Sequence, residues 1–580
     1  MKPSFWKTVL AVIVGTLIAS ILCSLLCLMF LSRLGAAAPS GNVNKPGLLK
    51  LDLGTVQITE QKTESFTITG SSAESVRTIG LLDAVNAIAI AAEDPNVKHI
   101  YLKTDGNLNS IACCEELRAA LARFRESGKG IIAYIESPST SGYYVASVAD
   151  KIYMGNYHGA NIMLTGVGGQ MIFLSDLLDR FGVKMQLIRH GKYKSAGEMF
   201  VRNSASAENR EQNERMVTSI WETLSADIAA SRGISVERLN TAIDNLELCM
   251  PEDFVQAGLV DELVGRAELQ QKMADLAVAD DIQDVNFIAF ESYVEAKCLP
   301  NLRARKQIAV VYAQGEIVDG SAIDAVASDD FVKMIETVRA DSAVKAVVLR
   351  VDSPGGSVSA SEKIEEQIRL LRAVKPVIAS YGDYAASGGY WISNGCDHIF
   401  SDATTLTGSI GVFGMVPDFS KTAKEVLHIG VESVGSNKHT DMYSMMRPFD
   451  KDEYRYVERS IEDIYERFTK LVSEGRDMSV ERVDELGQGR VWTGADALEA
   501  GLVDEIGTLT DALQYAACAA GDGEMGNWLV TAYPAPLTMM ENVLASLGQQ
   551  RETEEGVLIR RLRENARPQV LARMPFEFRF

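Results

Sequence analysis

The chain carries the same sequence pattern twice, in the same order. The clearest match pairs residues 94–105 with 341–352, where both stretches begin and end with Asp and share a Val-Lys pair. The other matched pairs are residues 141–144 with 387–390, 164–168 with 406–411, 235–238 with 479–482, and 257–262 with 500–505. A nearly constant separation of about 240–250 residues predicts a tandem duplication, with halves at 47–290 and 300–523.

Each half alternates short apolar runs with amphipathic stretches. In the first half we predict strands at residues 48–53, 97–103 and 130–135, and helices at 75–92 and 114–127. Strands that alternate with helices of this length are typical of α/β proteins. The sequence therefore predicts two similar α/β domains in one chain.

An uncharged stretch near the N-terminus predicts a transmembrane helix. Residues 8–31 carry no charged side chain, and as a helix they span about 36 Å, enough for a bilayer core of about 30 Å. Two lysines precede this stretch, which places residues 1–7 in the cytoplasm. Residues 32–46 are then a linker to a body on the other side of the membrane. The alternative is a secretory signal that is removed after Ala38.

Composition excludes several classes of function. The net charge is −21, and the body lacks the clustered Lys and Arg that a nucleic-acid partner requires. The 8 cysteines and 6 histidines show none of the spacings of a metal site. We therefore expect no metal, no cofactor and no nucleic acid.

One serine has the surroundings of a nucleophile. Ser409 follows Gly408 and precedes Ile410 and Gly411, and these glycines allow a tight turn to which a substrate backbone has access. In such a turn we expect the backbone N–H groups of the serine and of Ile410 to point outward. The first half has Val167 at the matching position. Any chemistry of this serine therefore belongs to the second half alone.

A serine nucleophile needs a base. Histidine is the usual one, and His439 in a polar loop is the most plausible histidine of the second half. Lysine is the alternative if burial keeps it neutral. Lys194 lies in the segment 191–196, which the second half does not repeat. From the residues alone, both Lys194 and His439 are candidates.

A second glycine-rich turn follows a predicted strand. The stretch Asp352-Ser-Pro-Gly-Gly-Ser357 comes directly after an apolar run, and its glycines expose backbone N–H groups. The N–H of Gly355 or Gly356, together with that of Ile410, has the properties of an oxyanion hole for a carbonyl substrate.

Several motifs together resemble one protease family, the long double-domain form of signal peptide peptidase A, also called protease IV. The motifs that carry the resemblance are residues 191–196 (GKYKSA), 351–357 (VDSPGGS), 385–393 (AASGGYWIS), 406–414 (LTGSIGVFG) and 489–494 (GRVWTG). The similarity extends from the membrane segment to about residue 523. One departure is Asp352, where the family usually has asparagine; it adds an acidic side chain beside the glycine turn.

The resemblance implies a fold, an activity and a location. The implied fold is the Clp protease/crotonase type, with ββα units spiralling in each half. The implied activity is a serine peptidase with a Ser-Lys dyad, in which Ser409 is the nucleophile and Lys194 the general base. The family is anchored in the bacterial inner membrane with its body in the periplasm, assembles into tetramers, and degrades signal peptides left in the membrane.

Two other functions remain open at this point. A glycine-lined oxyanion loop also suits an acyl-thioester hydrolase of the crotonase type, although coenzyme A is absent outside the cytoplasm. An inactive membrane-anchored scaffold that binds peptides is the other alternative. The tail, residues 524–580, lies outside the resemblance and receives no role.

Overall fold

The fold was derived from a computed structural model. The structure describes residues 41–62, 67–69, 72–74, 77–106, 108, 110–535 and 569–573. Within this part of the chain, no helix is both long enough and apolar enough to cross a membrane. The predicted transmembrane stretch, residues 8–31, lies outside the described residues.

The strands fall into two series, one in each half. The first series is β1 (Gly47–Asp52), β2 (Val56–Thr59), β3 (Thr67–Thr69), β4 (Ser72–Glu74), β5 (Arg77–Gly80), β6 (Val97–Lys103), β7 (Ile131–Ile135), β8 (Lys151–Gly155), β9 (Lys184–His190), β10 (Glu262–Val264) and β11 (Phe287–Ala289). The second series is β12 (Lys306–Gln314), β13 (Ile317–Val318), β14 (Val326–Ala327), β15 (Val344–Ser353), β16 (Gly355–Ser357), β17 (Val377–Ala386), β18 (His398–Ser401), β19 (Leu406–Gly408), β20 (Val412–Asp418), β21 (Val491–Thr493), β22 (Glu505–Ile506), β23 (Trp528–Tyr533) and β24 (Gln569–Arg573).

Helices connect the strands. Those of the first half are Leu81–Glu93, Ile111–Arg125, Thr140–Ala146, Ser175–Arg180, Glu198–Val201, Ala207–Arg232, Val236–Asp244, Pro251–Gln256, Arg266–Ala277 and Phe290–Lys297. Those of the second half are Ser328–Ala340, Val358–Arg372, Gly388–Ser393, Lys451–Arg476, Val480–Leu486, Gly494–Ala500 and Leu509–Ala519. The predicted helix 75–92 begins only at Leu81, because β5 occupies the residues before it. The predicted helix 114–127 begins earlier, at Ile111, because the Ser110 hydroxyl caps it by accepting from the Cys113 N–H.

The two halves contain equivalent parallel sheets. The first has the strand order β10-β8-β7-β6-β1-β11, and all its pairs are parallel. In the second, β22, β18, β17, β15, β12 and β23 pair in the corresponding order, also in parallel. Strands of parallel sheets are covered on both faces and are therefore continuously apolar, as in the buried run of β12 from Ile308 to Ala313. The predicted duplication is thus repeated strand by strand in the structure.

The second sheet continues beyond the predicted end of its half. The sequence placed that end at residue 523, whereas β23 pairs along β12 as far as Tyr533. This strand corresponds to β11, the edge strand of the first sheet. The residues directly after 523 therefore complete the second domain.

A third sheet is built from both halves. Its order is β14-β13-β16-β24-β20-β9, so the first-half strand β9 pairs with second-half strands. β9 runs antiparallel to β20 over seven residue pairs, from His190 opposite Val412 to Lys184 opposite Asp418. This pairing fixes the position of the first half against the turn that contains Ser409.

A buried ion pair also joins the halves. The Arg350 side chain, 1% exposed, lies 2.7 Å from Glu60 and 2.7 Å from Glu116, both in the first half. Its remaining N–H groups donate to Oγ of Ser380 and the carbonyl of Tyr381. One cation thus compensates two buried carboxylates at the junction.

Replacing Arg350 by Met should destabilise the fold strongly. The substitution leaves two buried acids without their cation, and breaking a buried pair in this way costs about 3–5 kcal/mol. Chemical denaturation measures the loss. The control is Arg369→Met, because Arg369 is 63% exposed and lies 3.7 Å from Glu365, and exposed pairs contribute at most about 1 kcal/mol. Equal losses for the two variants would contradict the role given to Arg350.

Candidate active site

Ser409 lies in a tight turn between β19 and β20. Its backbone φ is +51°, and that of the preceding Gly408 is +73°, so two successive residues are left-handed. β19 pairs with β17 on one side and β21 on the other, which fixes the start of the turn. The Ser409 N–H donates to the Arg490 carbonyl at 2.7 Å. This N–H therefore has a partner within the protein and does not point outward as the sequence suggested.

Lys194 follows β9 and reaches Ser409 from the other half. Because β9 and β20 are antiparallel, the end of β9 lies beside the beginning of β20. Two second-half glycines leave room for the lysine. A Cβ on Gly489 would lie 2.5 Å from the Lys194 Cβ, and a Cβ on Gly411 would lie 3.3 Å from its Cδ. Gly489 also has a φ of +79°, so this position requires glycine for two reasons.

The segment after Lys194 is held by a buried acid. Glu198, 1% exposed, accepts hydrogen bonds from Arg189, from the backbone and hydroxyl of Ser206, and from Asn209. Arg189 in turn donates to the Lys194 carbonyl at 2.8 Å. These hydrogen bonds, those from Ser206 above all, lower the pKa of Glu198 against the effect of burial. The hydrogen-bonded pair of Arg189 and Glu198 therefore fixes the backbone of Lys194.

The Lys194 amine makes three polar contacts with the second half. Its Nζ lies 3.0 Å from the Ser409 Oγ, 3.0 Å from the Ser409 carbonyl oxygen and 2.7 Å from the Ser387 Oγ. All three residues are 0% exposed. The structure thus brings together the predicted nucleophile and the predicted base, which are 215 residues apart in the chain.

Burial determines the charge of this amine. An ammonium group loses its hydration when it is buried, so burial holds the pKa of Lys194 well below its ordinary value of 10.5. A neutral amine has two N–H donors and one lone pair. The Ser409 carbonyl can only accept, and the Ser387 oxygen accepts the second N–H, which leaves the lone pair for the Ser409 hydroxyl. This arrangement suits an amine that takes the serine proton.

Ser387 contacts the Lys194 amine, and the sequence did not single it out as a candidate site residue. Its φ of 56° and ψ of −111° lie in a sparsely populated region, and a non-glycine residue there is strained. Its N–H donates to the Gly408 carbonyl at 2.8 Å, so it is attached directly to the Ser409 turn. Its motif was recognised in the sequence, but the strained backbone that singles out the serine is visible only in the folded chain.

The predicted oxyanion residues lie around the same turn. Gly355 has a φ of +96°, and a Cβ on Gly356 would lie 2.0 Å from the Ile317 carbonyl oxygen, so neither position accepts a side chain. A Cβ on Gly388, next to Ser387, would lie 3.1 Å from the Gly356 nitrogen. The glycine turn is therefore packed against the segment that contacts Lys194. The Gly355 N–H also lies 3.2 Å from the Ser353 hydroxyl.

Asp352 belongs to a group of buried and partly buried acids at the junction of the halves, with Asp383 and Glu60. Burial, and then the nearby Asp383 and Glu60, raise the pKa of Asp352 well above its ordinary value of 3.8. Burial also raises the pKa of Asp383 to about 6. These surroundings favour the neutral form of Asp352, and a neutral Asp352 would be as uncharged as the asparagine that the resemblance leads one to expect.

His439 belongs to a separate network. Its Nδ1 lies 2.8 Å from Glu453 and 3.8 Å from Asp450, and among the described residues these three form the group with metal-ligand spacing. The Arg447 guanidinium contacts Glu453 at 2.7 Å, so a fixed cation already neutralises this acid. Lys194, and not His439, is the residue in contact with Ser409.

Comparison with known proteins agrees with this geometry. The chain matches the family described as Peptidase family S49 over residues 123–280 and again over 369–521. Residues 301–436 match the family described as Clp protease. The two S49 stretches confirm the duplication, and the second match confirms a Clp protease-like α/β fold.

Individual relatives cover most of the chain. Protease 4 of Haemophilus influenzae is 35% identical over 460 residues, which are 76% of this chain and 73% of the relative. Protease 4 of Salmonella typhi is 33% identical over 522 residues, 86% and 82% of the two chains. The chloroplastic serine protease SPPA of Arabidopsis thaliana is 30% identical over 476 residues, 79% and 68% of the two chains. The chain therefore belongs to Peptidase family S49, in its signal peptide peptidase A (protease 4) branch, and is a serine peptidase.

Proposed function

We propose that this serine peptidase is an endopeptidase that works through a Ser-Lys dyad, with Ser409 as nucleophile and Lys194 as general base. The observation that carries the proposal is the contact of 3.0 Å between the Lys194 Nζ and the Ser409 Oγ, in a site where burial favours the neutral amine. A base must lie within hydrogen-bond reach of the proton that it removes.

The proposed reaction has two stages. Lys194 takes the Ser409 proton while the Oγ attacks the peptide carbonyl carbon, and backbone N–H groups of Ile410 and of Gly355 or Gly356 stabilise the oxyanion. The carbon–nitrogen bond then breaks, and the Lys194 ammonium donates its proton to the leaving amine. In the second stage Lys194 takes a proton from water, whose oxygen attacks the acyl ester. The released Ser409 Oγ regains a proton from Lys194.

Ser387 acts as a positioning residue in this scheme. Its hydroxyl accepts one N–H of Lys194 at 2.7 Å, which directs the lone pair of the amine to Ser409. The same hydroxyl favours the ammonium form that exists between attack and departure of the leaving group. A serine in a strained backbone conformation persists because its side chain has this function.

The substrates we propose are signal peptides and other apolar peptides in or near the membrane. The proposed anchor is residues 8–31, with the body on the periplasmic side of a bacterial inner membrane. We also propose a homotetramer. Large apolar side chains are exposed in both halves, among them Ile172 and Phe181 in the first half and Ile429 and Val434 in the second, and exposed apolar surface favours association. Light scattering of the detergent-solubilised chain tests this assembly, and a monomer would exclude it.

Ser409→Ala and Lys194→Ala should each reduce peptide cleavage by at least about 10³-fold, because each removes one member of a unit that acts together. The measurement is kcat/KM with a fluorogenic apolar peptide. Circular dichroism should show that both variants fold. The control is Val167→Ala, which changes the first-half counterpart of Ser409 and should retain cleavage. Turnover that persists in Lys194→Ala would exclude the dyad.

Lys194→Met should change how stability depends on pH. Between the lowered pKa of folded Lys194 and the unfolded value of about 10.4, the unfolded chain binds one more proton. The free energy of unfolding of the native chain therefore rises with pH in this window, by up to about 1.4 kcal/mol per pH unit from this group. The Met variant lacks that term. The stability of the variant relative to the native chain should therefore be greater at pH 7 than at pH 9.

Denaturation of both proteins at the two pH values measures this difference. Lys470→Met is the control, since Lys470 is 72% exposed and its replacement should leave the pH slope unchanged. If the Lys194→Met and native proteins have parallel pH profiles, Lys194 is not neutral in the folded state.

Ser387→Gly should lower kcat by about tenfold, the effect of one hydrogen bond, with little change in KM. Glycine relieves the strained backbone, so stability should not fall. Without the hydroxyl, the ammonium form of Lys194 is less favoured, and the acid limb of the kcat/KM profile should move to lower pH. A merely structural role for Ser387 predicts an unchanged acid limb and lower stability.

A further inference from the structure

A tight loop, residues 487–490, lies between the segments that carry Lys194 and Ser409. We call it the bridging loop. It follows the helix Val480–Leu486, and its Gln488 and Gly489 have φ angles of +55° and +79°. A non-glycine residue in the left-handed region is uncommon and persists where the surroundings impose it. The conformation of Gln488 therefore calls for an explanation from its contacts.

One peptide group of the bridging loop binds both segments. The Gln488 carbonyl accepts the N–H of Tyr193, the residue directly before Lys194, at 2.8 Å. The Gly489 N–H donates to the carbonyl of Ile410, the residue directly after the nucleophile, at 2.7 Å. The carbonyl and N–H of a planar trans peptide point in opposite directions. The peptide group 488–489 thus stands between the two segments as a spacer of fixed width.

The spacer is packed closely on both sides. A Cβ on Gly191 would lie 2.5 Å from the Gln488 carbonyl oxygen, and a Cβ on Gly411 would lie 2.6 Å from the Gly489 Cα. Backbone therefore contacts backbone at both ends of the peptide group, and a shift of the bridging loop must move the base, the nucleophile or both.

Tyr465 holds the bridging loop in place. It lies on the helix Lys451–Arg476 and is 4% exposed. Its hydroxyl accepts the Gln488 N–H at 3.1 Å and donates to the Asp484 carboxylate at 2.5 Å. The Gln488 side-chain amide donates to the same carboxylate oxygen at 2.5 Å. Tyr465 and Asp484 together therefore fix the backbone and the side chain of Gln488.

The ring of Tyr465 has contacts of its own. It belongs to a buried apolar cluster with Ile188 of β9 and Val412 of β20, and it stacks on the His190 ring with centroids 3.9 Å apart. Phenylalanine retains these ring contacts and lacks only the hydroxyl. The substitution Tyr465→Phe therefore separates packing from the hold on the bridging loop.

We propose that Tyr465 is a positioning residue of this peptidase, and that its hydroxyl, acting through the peptide group 488–489, sets the separation of Lys194 and Ser409. Its effect on turnover rests on the proposed Ser-Lys dyad. The placement of the Lys194 amine by the bridging loop does not depend on that dyad and is tested separately.

Tyr465→Phe should lower kcat by at least about tenfold with little change in KM, because a displacement of about 1 Å at a reacting group costs up to about 10²-fold. A loosened loop also admits water to Lys194, whose pKa burial holds low. The acid limb of the kcat/KM profile should therefore move to higher pH, opposite to the shift expected for Ser387→Gly. The ionisable side chains around the loop and the amine stay unchanged in this variant; they are Arg189, His190, Tyr193, Glu198, Glu211, Asp484 and Arg490.

Tyr293→Phe is the matched control. The Tyr293 hydroxyl donates to the Asp94 carboxylate at 3.0 Å in the first half, so the substitution removes the same kind of buried hydrogen bond away from the bridging loop. It should lower the denaturation midpoint much as Tyr465→Phe does, while kcat and the acid limb stay as in the native chain. If the two variants match in kcat and in pH profile, Tyr465 has a structural role only.

Asp484 supplies a test by conservative replacement. Asp484→Asn keeps an oxygen that accepts from both Tyr465 and Gln488, and should retain most of the native kcat. Asp484→Leu lacks that oxygen and should reduce kcat to the level of Tyr465→Phe. The double variant Tyr465→Phe/Asp484→Leu should lose little more than either single variant, because the two residues act as one unit. Independent, multiplying losses in the double variant would contradict the proposal.

Chemical labelling tests the placement of Lys194 without any need for activity. In a Ser409→Ala background, the lysines are acetylated with acetic anhydride, and mass spectrometry compares Lys194, which is 0% exposed, with Lys470, which is 72% exposed. Adding Tyr465→Phe should raise the labelling of Lys194 relative to Lys470 several-fold, whereas adding Tyr293→Phe should not. An equal rise in both variants, or no rise in either, would overturn the hold of Tyr465 on the amine.

The outcomes separate the two proposals. If neither the native chain nor its variants cleave peptides, the proposed dyad fails, while the labelling still decides whether the bridging loop places Lys194. If Tyr465→Phe keeps the kcat, the acid limb and the Lys194 labelling of the native chain, the positioning role of Tyr465 fails and the peptidase stands.

Discussion

The structure depends on an amine that is buried without a carboxylate partner. Lys194 is completely shielded from water, and its contacts are two hydroxyl groups and one carbonyl oxygen. Such a site disfavours the charged form of the lysine and so weakens the fold at neutral pH. The same burial favours the neutral amine that the proposed general base requires. Three features of the surrounding structure hold this unfavourable group in place. They are the pairing of β9 with β20, the hydrogen bonds of Glu198 in the segment after Lys194, and the glycines that let the backbones of the two halves come close.

The junction of the halves also contains ionisable side chains whose charges are either paired or suppressed by burial. Arg350 pairs with Glu60 and Glu116, while Asp352 and Asp383 are shifted toward their neutral forms. Buried pairs of this kind add little net stability compared with apolar packing, but they are costly to break. They therefore favour a single docking of one half on the other. A site whose two proposed reacting groups come from different halves needs such a unique docking, since a displacement of about 1 Å at the junction would separate the Lys194 Nζ from the Ser409 Oγ.

Much of the site was predictable because the duplication acts as an internal comparison. The first half has Val167 at the position that matches Ser409, and the second half does not repeat the segment around Lys194. These two differences identify the two catalytic candidates without any structure. Features that depend on long-range pairing were not predictable. The strain at Ser387, the hydrogen bond from the Ser409 N–H to Arg490 and the raised pKa of Asp352 arise only when distant segments meet. The strands β23 and β24 were missed for the same reason, since a short apolar run acquires its conformation from the sheet edge that it joins.

The two halves differ in the strands that surround the candidate site. In the first half, the residues between β8 and β9, which match the Ser409 turn and β20, form no strand. In the second half, the residues that correspond to β9 lie within 427–446, and this stretch forms no strand either. Among the described residues, β9 has no partner in its own half and pairs instead with β20, whose other neighbour is the second-half strand β24. An edge strand is unstable and prone to misassociation unless it is covered, so the pairing that assembles the dyad also removes two exposed edges. The proposed catalysis and the stability of the fold therefore depend on the same contact.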